Sequence, residues 1–153
     1  MLSTAMKTLS PRTMPPTIVS SGSPRSRIRA LVAGEFGFLA GSIGVVTSDL
    51  ILAAFDHGDR VALAEPGYPA YRNILTALGL EVVEIATEAA TRWQATPEMI
   101  AKVHAETPLK GLVVASPANP SGTMMTREGL RDLVAACRDM GISLVMDEIY
   151  HGL

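Results

Sequence analysis

The sequence predicts an α/β fold, three layers deep (α/β/α) around a mostly parallel sheet, and three observations carry that expectation. Downstream of Gly44 the hydrophobic spacing switches repeatedly between short apolar runs and helical periods. Turn-forming residues mark nearly every switch. The stretches between apolar runs are long enough for the crossover helices that join parallel strands.

Taken in order, residues 49–55 read as a short helix and Asp56-His57-Gly58-Asp59 as a turn. Residues 61–64 form a strand that ends at Glu65-Pro66-Gly67. Tyr71, Ile74, Leu75 and Leu78 fall at i, i+3, i+4 and i+7, so they share one helical face. Pro69 suits the opening of that helix, and Gly79 suits a left-handed cap just past its end. A strand over 81–85 and a loop over 86–95 follow. Thr96 can cap a helix with Pro97 at its first position and Met99, Ile100 and Val103 on its apolar side. Residues 111–115 are wholly apolar, as a parallel strand covered on both faces requires. After a loop over 116–123, Thr126 can cap a helix that aligns Leu130, Leu133, Val134 and Cys137 and stops at Gly141. The apolar run 142–146 is a further buried strand, with Asp147 at its C-terminal end.

Composition narrows the classes of partner. The 153 residues, 48% of them hydrophobic, carry a net charge of −2 with Lys and Arg scattered, so no basic face for nucleic acid is expected. The most apolar stretch, residues 36–48 between Glu35 and Asp49, is shorter than the ~20 residues a spanning helix needs, so no membrane segment is expected. The single cysteine, Cys137, excludes an intrachain disulfide and fits a reducing, cytoplasmic setting. The first thirty residues differ in kind, being rich in Ser, Thr, Pro and Arg, and the first acidic residue is Glu35. Their prolines oppose the amphipathic helix of a transit peptide. Residues 1–30 are therefore expected to be a disordered or aberrant leader and 31–153 the folded part.

In parallel sheets ligands bind beyond the carboxyl ends of the strands. Three clusters fall there: Pro66-Gly67-Tyr68, Asn119-Pro120-Ser121-Gly122 and Asp147-Glu148-Ile149-Tyr150. Asp147 follows a five-residue stretch that is apolar but for Ser143, so its carboxylate is partly desolvated and calls for a cation such as a protonated pyridine. Asn119 sits in a loop stiffened by Pro117 and Pro120, which suits a rigidly presented amide. Tyr150 lies three residues beyond Asp147, and Tyr68 offers a flat ring from another strand. These are three of the four things that pyridoxal phosphate requires of a protein; the fourth is an imine-forming lysine.

Glu65-Pro66-Gly67-Tyr68-Pro69-Ala70-Tyr71, the Ala118-Asn119-Pro120-Ser121-Gly122-Thr123 loop and Asp147-Glu148-Ile149-Tyr150 resemble the three consecutive signatures of class I/II, fold-type I aminotransferases. Their order and the 28-residue step from Asn119 to Asp147 match as well. The resemblance implies that residues 31–153 are part of a large, pyridoxal-phosphate-binding domain. It further implies that Tyr68 stacks on the cofactor ring, Asn119 and Tyr150 contact the phenolic oxygen, and Asp147 holds the ring nitrogen. The implied activity is amino-group transfer between an amino acid and a 2-oxo acid.

The departures set a second expectation. The family's Schiff-base lysine lies beyond the Asp-Glu-Ile-Tyr segment, whereas the lysines here are Lys7, Lys102 and Lys110, so the chain is expected to be a truncated form, inactive alone and without a catalytic residue. The alternative is a non-catalytic pyridoxal-phosphate-binding or interaction module. Because the family builds its sites at a dimer interface, either a homodimer or pairing with a full-length relative would follow. The phosphate-holding turn is expected at Gly41-Ser42-Ile43-Gly44 or at Thr47-Ser48.

Other readings are weaker. Residues 142–148 could be the strand that positions magnesium in P-loop NTPases, but no Gly-Lys pair occurs, and no G-x-G-x-x-G supports a dinucleotide turn. No two histidines have metal-ligand spacing. Cys137 reads as a core residue, His57 and His104 as solvated, His151 as a neighbour of the cofactor end, and Trp93 as a packing residue over the sheet.

Overall fold

The structure is a computed structural model that describes residues 18–19, 30–33, 51, 53–148 and 150. In chain order its elements are β1 (Ile18–Val19), β2 (Ala30–Ala33), β3 (Arg60–Glu65), α1 (Pro69–Ala77), β4 (Glu81–Ala86), a 3₁₀ turn (Ala89–Thr91), α2 (Pro97–Glu106), β5 (Gly111–Ala115), α3 (Arg127–Met140) and β6 (Ser143–Asp147). The strands form one sheet in the order β1-β2-β6-β5-β3-β4. Every pairing is parallel except that of β1 with β2. Of the Ser/Pro/Arg-rich leader, Ile18–Val19 and Ala30 are described, all in strand, and the remainder lies outside the described residues.

Alternation along the central strands divides the core in two, as a sheet covered on both faces demands. Ala62, Leu112, Val114, Leu144 and Met146 face α2 and α3, where they meet Ile100, Leu133 and Cys137. Val61, Leu63, Val113 and Val145 face the other way, against Leu75 of α1 together with Ile51 and Phe55. The three layers are therefore helix, sheet and helix.

Local chemistry fixes the helix ends where the sequence placed them. The Thr96 side chain accepts a hydrogen bond from the Met99 N–H, and that of Thr126 accepts from Gly129 N–H, each satisfying a donor that has no partner within its helix. Pro69 and Pro97 open their helices. Gly79 and Gly141 adopt φ of +77° and +70°, the left-handed values that end α1 and α3. Of the expected first helix, Ile51, Ala53, Ala54 and Phe55 are described; the first three are helical and Phe55 lies just past the end.

Two connections run to opposite layers. The chain leaves β3 for α1 on one face, whereas it leaves the adjacent β5 for α3 on the other. Neighbouring strands whose exits diverge in this way leave a crevice beyond their carboxyl ends, the topological switch point at which α/β sheets bind ligands. Between β3 and β5 that crevice is present.

Candidate functional site

The crevice is an open cleft beyond the carboxyl ends of β3 and β5. Its β3 side is formed by Pro66, Gly67, Tyr68 and Tyr71 and its β5 side by Ala118 and Asn119, with Trp93 and Gln94 completing the wall.

The β3 side is shaped by a close backbone approach. A Cβ on Gly67 would sit 2.5 Å from the Ala64 carbonyl oxygen, so only glycine lets the chain turn this tightly after the strand. The Gly67 N–H donates to Oε2 of Glu65, whose other oxygen accepts from Nη2 of Arg72 at 2.9 Å. Arg72 also pairs with Glu84 on β4. This chain of contacts holds the turn that carries Tyr68 against the start of α1. Tyr68 and Tyr71 then meet edge to face, with ring centroids 5.9 Å apart and planes at 87°.

Asp147 is the last residue of β6, in register with Ala115 on one side and Ala33 on the other. Its carbonyl accepts from Ser116 N–H, which ties β6 to the start of the Asn119 loop. The Tyr71 hydroxyl donates to its Oδ2 at 2.6 Å, a short, charge-assisted bond. Burial, reinforced by this bond and by the carboxylate's charge, pushes the Tyr71 phenol well above the ordinary tyrosine range. Tyr150 and Tyr68 act in the same direction, so both lie within electrostatic reach of Tyr71. Tyr71 is thus common to Tyr68, the Asp147 carboxylate and Tyr150.

The Asn119 loop is closed on itself. Ala118 N–H donates to the Thr123 carbonyl and Gly122 N–H to the Ala118 carbonyl, and the Ser116 hydroxyl accepts from Met125 N–H. Pro117 and Pro120 both follow cis peptide bonds.

All four expected site residues gather at this end of the sheet. Tyr68 and Asn119 line the cleft, Asp147 closes the end of β6, and Tyr150 lies near Tyr71 with its side chain exposed. The two expected phosphate turns and His151 lie outside the described residues.

Three residues were missed and one reading is corrected. Tyr71 was read as part of the apolar face of α1 and as the last residue of the first signature, with no role of its own; the repeat of tyrosine at i and i+3 next to a strand end was the available signal. Trp93 lines the cleft instead of merely covering the sheet, and Gln94 is 7% exposed beside it. Both depend on Arg92 and Trp93 holding φ of +56° and +57°, which no local propensity announces and which costs on the order of 1–2 kcal/mol per residue. His104 is corrected from solvated to structural: its Nδ1 accepts from Leu109 N–H at 3.1 Å and fastens the turn between α2 and β5.

The model of the family "Aminotransferase class I and II" matches residues 37–153. The chain belongs to the class I and II aminotransferase family. Members of this family depend on pyridoxal phosphate. Over 102 residues, 67% of its length, the chain is 55% identical to a valine–pyruvate aminotransferase of Mycobacterium tuberculosis, of which that stretch is 26%. A 1-aminocyclopropane-1-carboxylate synthase of Malus domestica is 34% identical over 67% of the chain and 23% of its own length. Among solved structures, an aminotransferase from Mycobacterium tuberculosis superposes with a TM-score of 0.67 at 53% identity, covering 69% of this chain and 27% of that one. An aspartate aminotransferase from Thermus thermophilus with maleate gives 0.61 at 34% identity, covering 67% and 26%. The chain therefore spans about a quarter of the length of these relatives.

The residues present fit the ring of the family's cofactor. A flat aromatic side chain, Tyr68, and an amide, Asn119, line one cleft, and a carboxylate, Asp147, is hydrogen-bonded to Tyr71 in the cleft wall. Among the described residues no lysine lines that cleft; Lys102 lies exposed on α2 and Lys110 exposed before β5.

Proposed function

We propose that this chain supplies the cofactor-holding cleft of an enzyme that moves an amino group between an amino acid and a 2-oxo acid. The observation that carries the reading is the Tyr71–Asp147 hydrogen bond at the mouth of the switch-point cleft. It ties the carboxylate at the end of β6 to Tyr71, which lines the same cleft as Tyr68 and Asn119.

When bound, pyridoxal phosphate supplies an electron-withdrawing ring that takes up negative charge from the substrate carbon. The chain's own groups have separable tasks. Asp147 holds the proton on the ring nitrogen, because a partly desolvated carboxylate is stabilised by a cation at hydrogen-bond distance. Tyr71, donating to Oδ2, fixes the direction in which that carboxylate faces. Tyr68 would pack its flat face on the ring and is itself steadied by its T-shaped contact with Tyr71. The Asn119 amide and the Tyr150 hydroxyl donate to the phenolic oxygen.

The test is the protonation state of a bound ligand. Pyridoxamine 5′-phosphate labelled with ¹⁵N in its ring should show a pyridinium shift when bound near neutral pH, and Asp147→Asn should return it toward the neutral value. A neutral ring nitrogen in the unsubstituted protein would refute the role given to Asp147.

A further inference from the structure

The loop that bears Asn119 is fastened to a second loop by side chains that the cofactor reading leaves unused. Gln94 is 7% exposed, and its Nε2 donates to the Thr123 carbonyl at 3.0 Å and to Thr123 Oγ1 at 3.3 Å. Thr123 Oγ1 in turn donates to the Arg92 carbonyl at 2.5 Å and lies 2.9 Å from Ser121 Oγ. The Thr123 carbonyl also receives the Ala118 N–H. One threonine therefore joins both ends of the segment 118–123 to each other and to the strap 92–94.

The strap is itself held in an uncommon shape. Arg92 and Trp93 are consecutive non-glycine residues in the left-handed region, and such backbone persists only where its surroundings determine it. Here the Arg92 carbonyl is taken by Thr123, and Trp93 N–H donates to the Glu88 carbonyl. In this shape Trp93 enters the cleft wall, and Asn119 enters it from the other loop.

We infer that Gln94 and Thr123 form a latch that presents the Asn119 amide to the phenolic oxygen of the cofactor, so that both are positioning residues acting through Asn119. The inference rests on the proposed role of Asn119. Neither latch residue need touch the ligand. Breaking the latch lets the 118–123 segment drift, and an amide that drifts loses its hydrogen bond while the rest of the cleft keeps its contacts.

The test uses the full chain with pyridoxamine 5′-phosphate and the same compound lacking its 3-hydroxyl, titrated calorimetrically; neither carries an aldehyde that could react with surface lysines. Asn119→Ala should weaken the parent ligand and reduce the preference for it over the 3-deoxy compound to what the Tyr150 hydroxyl alone supports. Thr123→Val and Gln94→Met should each reduce that preference about three- to tenfold, the range of one hydrogen bond. They should add nothing in the Asn119→Ala background, and Thr123→Ser should restore the preference. Hydrogen exchange at the Ala118 and Gly122 amides should quicken in Thr123→Val without ligand. Preference is a ratio measured on one protein, so partial unfolding does not mimic its loss.

Equal weakening of both ligands by Thr123→Val, full additivity with Asn119→Ala, or unchanged exchange would overturn the latch and leave the role of Asn119 standing. An unchanged preference in Asn119→Ala would overturn both.

Discussion

Tyr71 is the residue on which the geometry of the cleft turns, because its ring meets Tyr68 in a T-shaped contact and its hydroxyl meets Asp147. Tyr71→Phe keeps the ring contact and removes the donor. With both groups half-buried, the loss in stability should be about 1 kcal/mol, measured by denaturant unfolding. The phenol is held above its ordinary range in the folded state, so it stays neutral there after an unfolded chain would ionise. Stability from this source is complete below pH ~10 and is lost as pH rises past it. Ultraviolet titration of phenolate absorbance should show a component that appears with unfolding and is absent from Tyr71→Phe. Cys137 behaves alike for a simpler reason: it is 1% exposed, and desolvation pushes its thiol from 9.0 up to about 11. The unfolded state releases that proton first, so stability should fall by about 2–3 kcal/mol between pH 9 and 11, and the fall should vanish in Cys137→Ala. At this scale the sequence was legible where a residue type has one common task. Asp147 was placed correctly at the end of an apolar strand, and Cys137 correctly on a buried helix face. Trp93 and Gln94 were not, since their places follow from two left-handed residues and a partner 29 positions away at Thr123.

At the scale of elements the fold is the sum of strong local signals. Thr96 and Thr126 accept the N–H groups that capping predicts, and Gly141 takes the left-handed conformation that lets α3 end against β6. Thr126→Ala should cost about 1 kcal/mol, read as a lower midpoint in urea with an unchanged slope. Strand edges were legible to within about a residue because the apolar runs 61–64, 111–115 and 142–146 are bounded by turn residues. The order of the strands was not legible, since pairing β5 between β3 and β6 depends on crossovers that no single segment encodes. Nor was the tie from His104 to Leu109, a side-chain bond that ends no periodic pattern.

The whole molecule places chemistry by topology. Because the exits from β3 and β5 diverge, Tyr68 and Asn119, 51 positions apart, come to line one cleft, and Asp147 closes the end of the next strand. Family and fold were legible because three short motifs each occupy a strand end in that arrangement. The chain spans about a quarter of its relatives' length, and no lysine among the described residues lines the cleft. The 153-residue polypeptide assayed alone, with pyridoxal phosphate, an amino acid and a 2-oxo acid, should therefore give no amino transfer above a cofactor-only control. Binding is a separate matter from turnover, and it is the central claim. Calorimetric titration of pyridoxamine 5′-phosphate should show saturable binding to the unsubstituted chain, weakened at least about tenfold in Asp147→Asn with the melting transition retained. Equal affinity in the two proteins, or no binding to a chain that melts cooperatively, would contradict it.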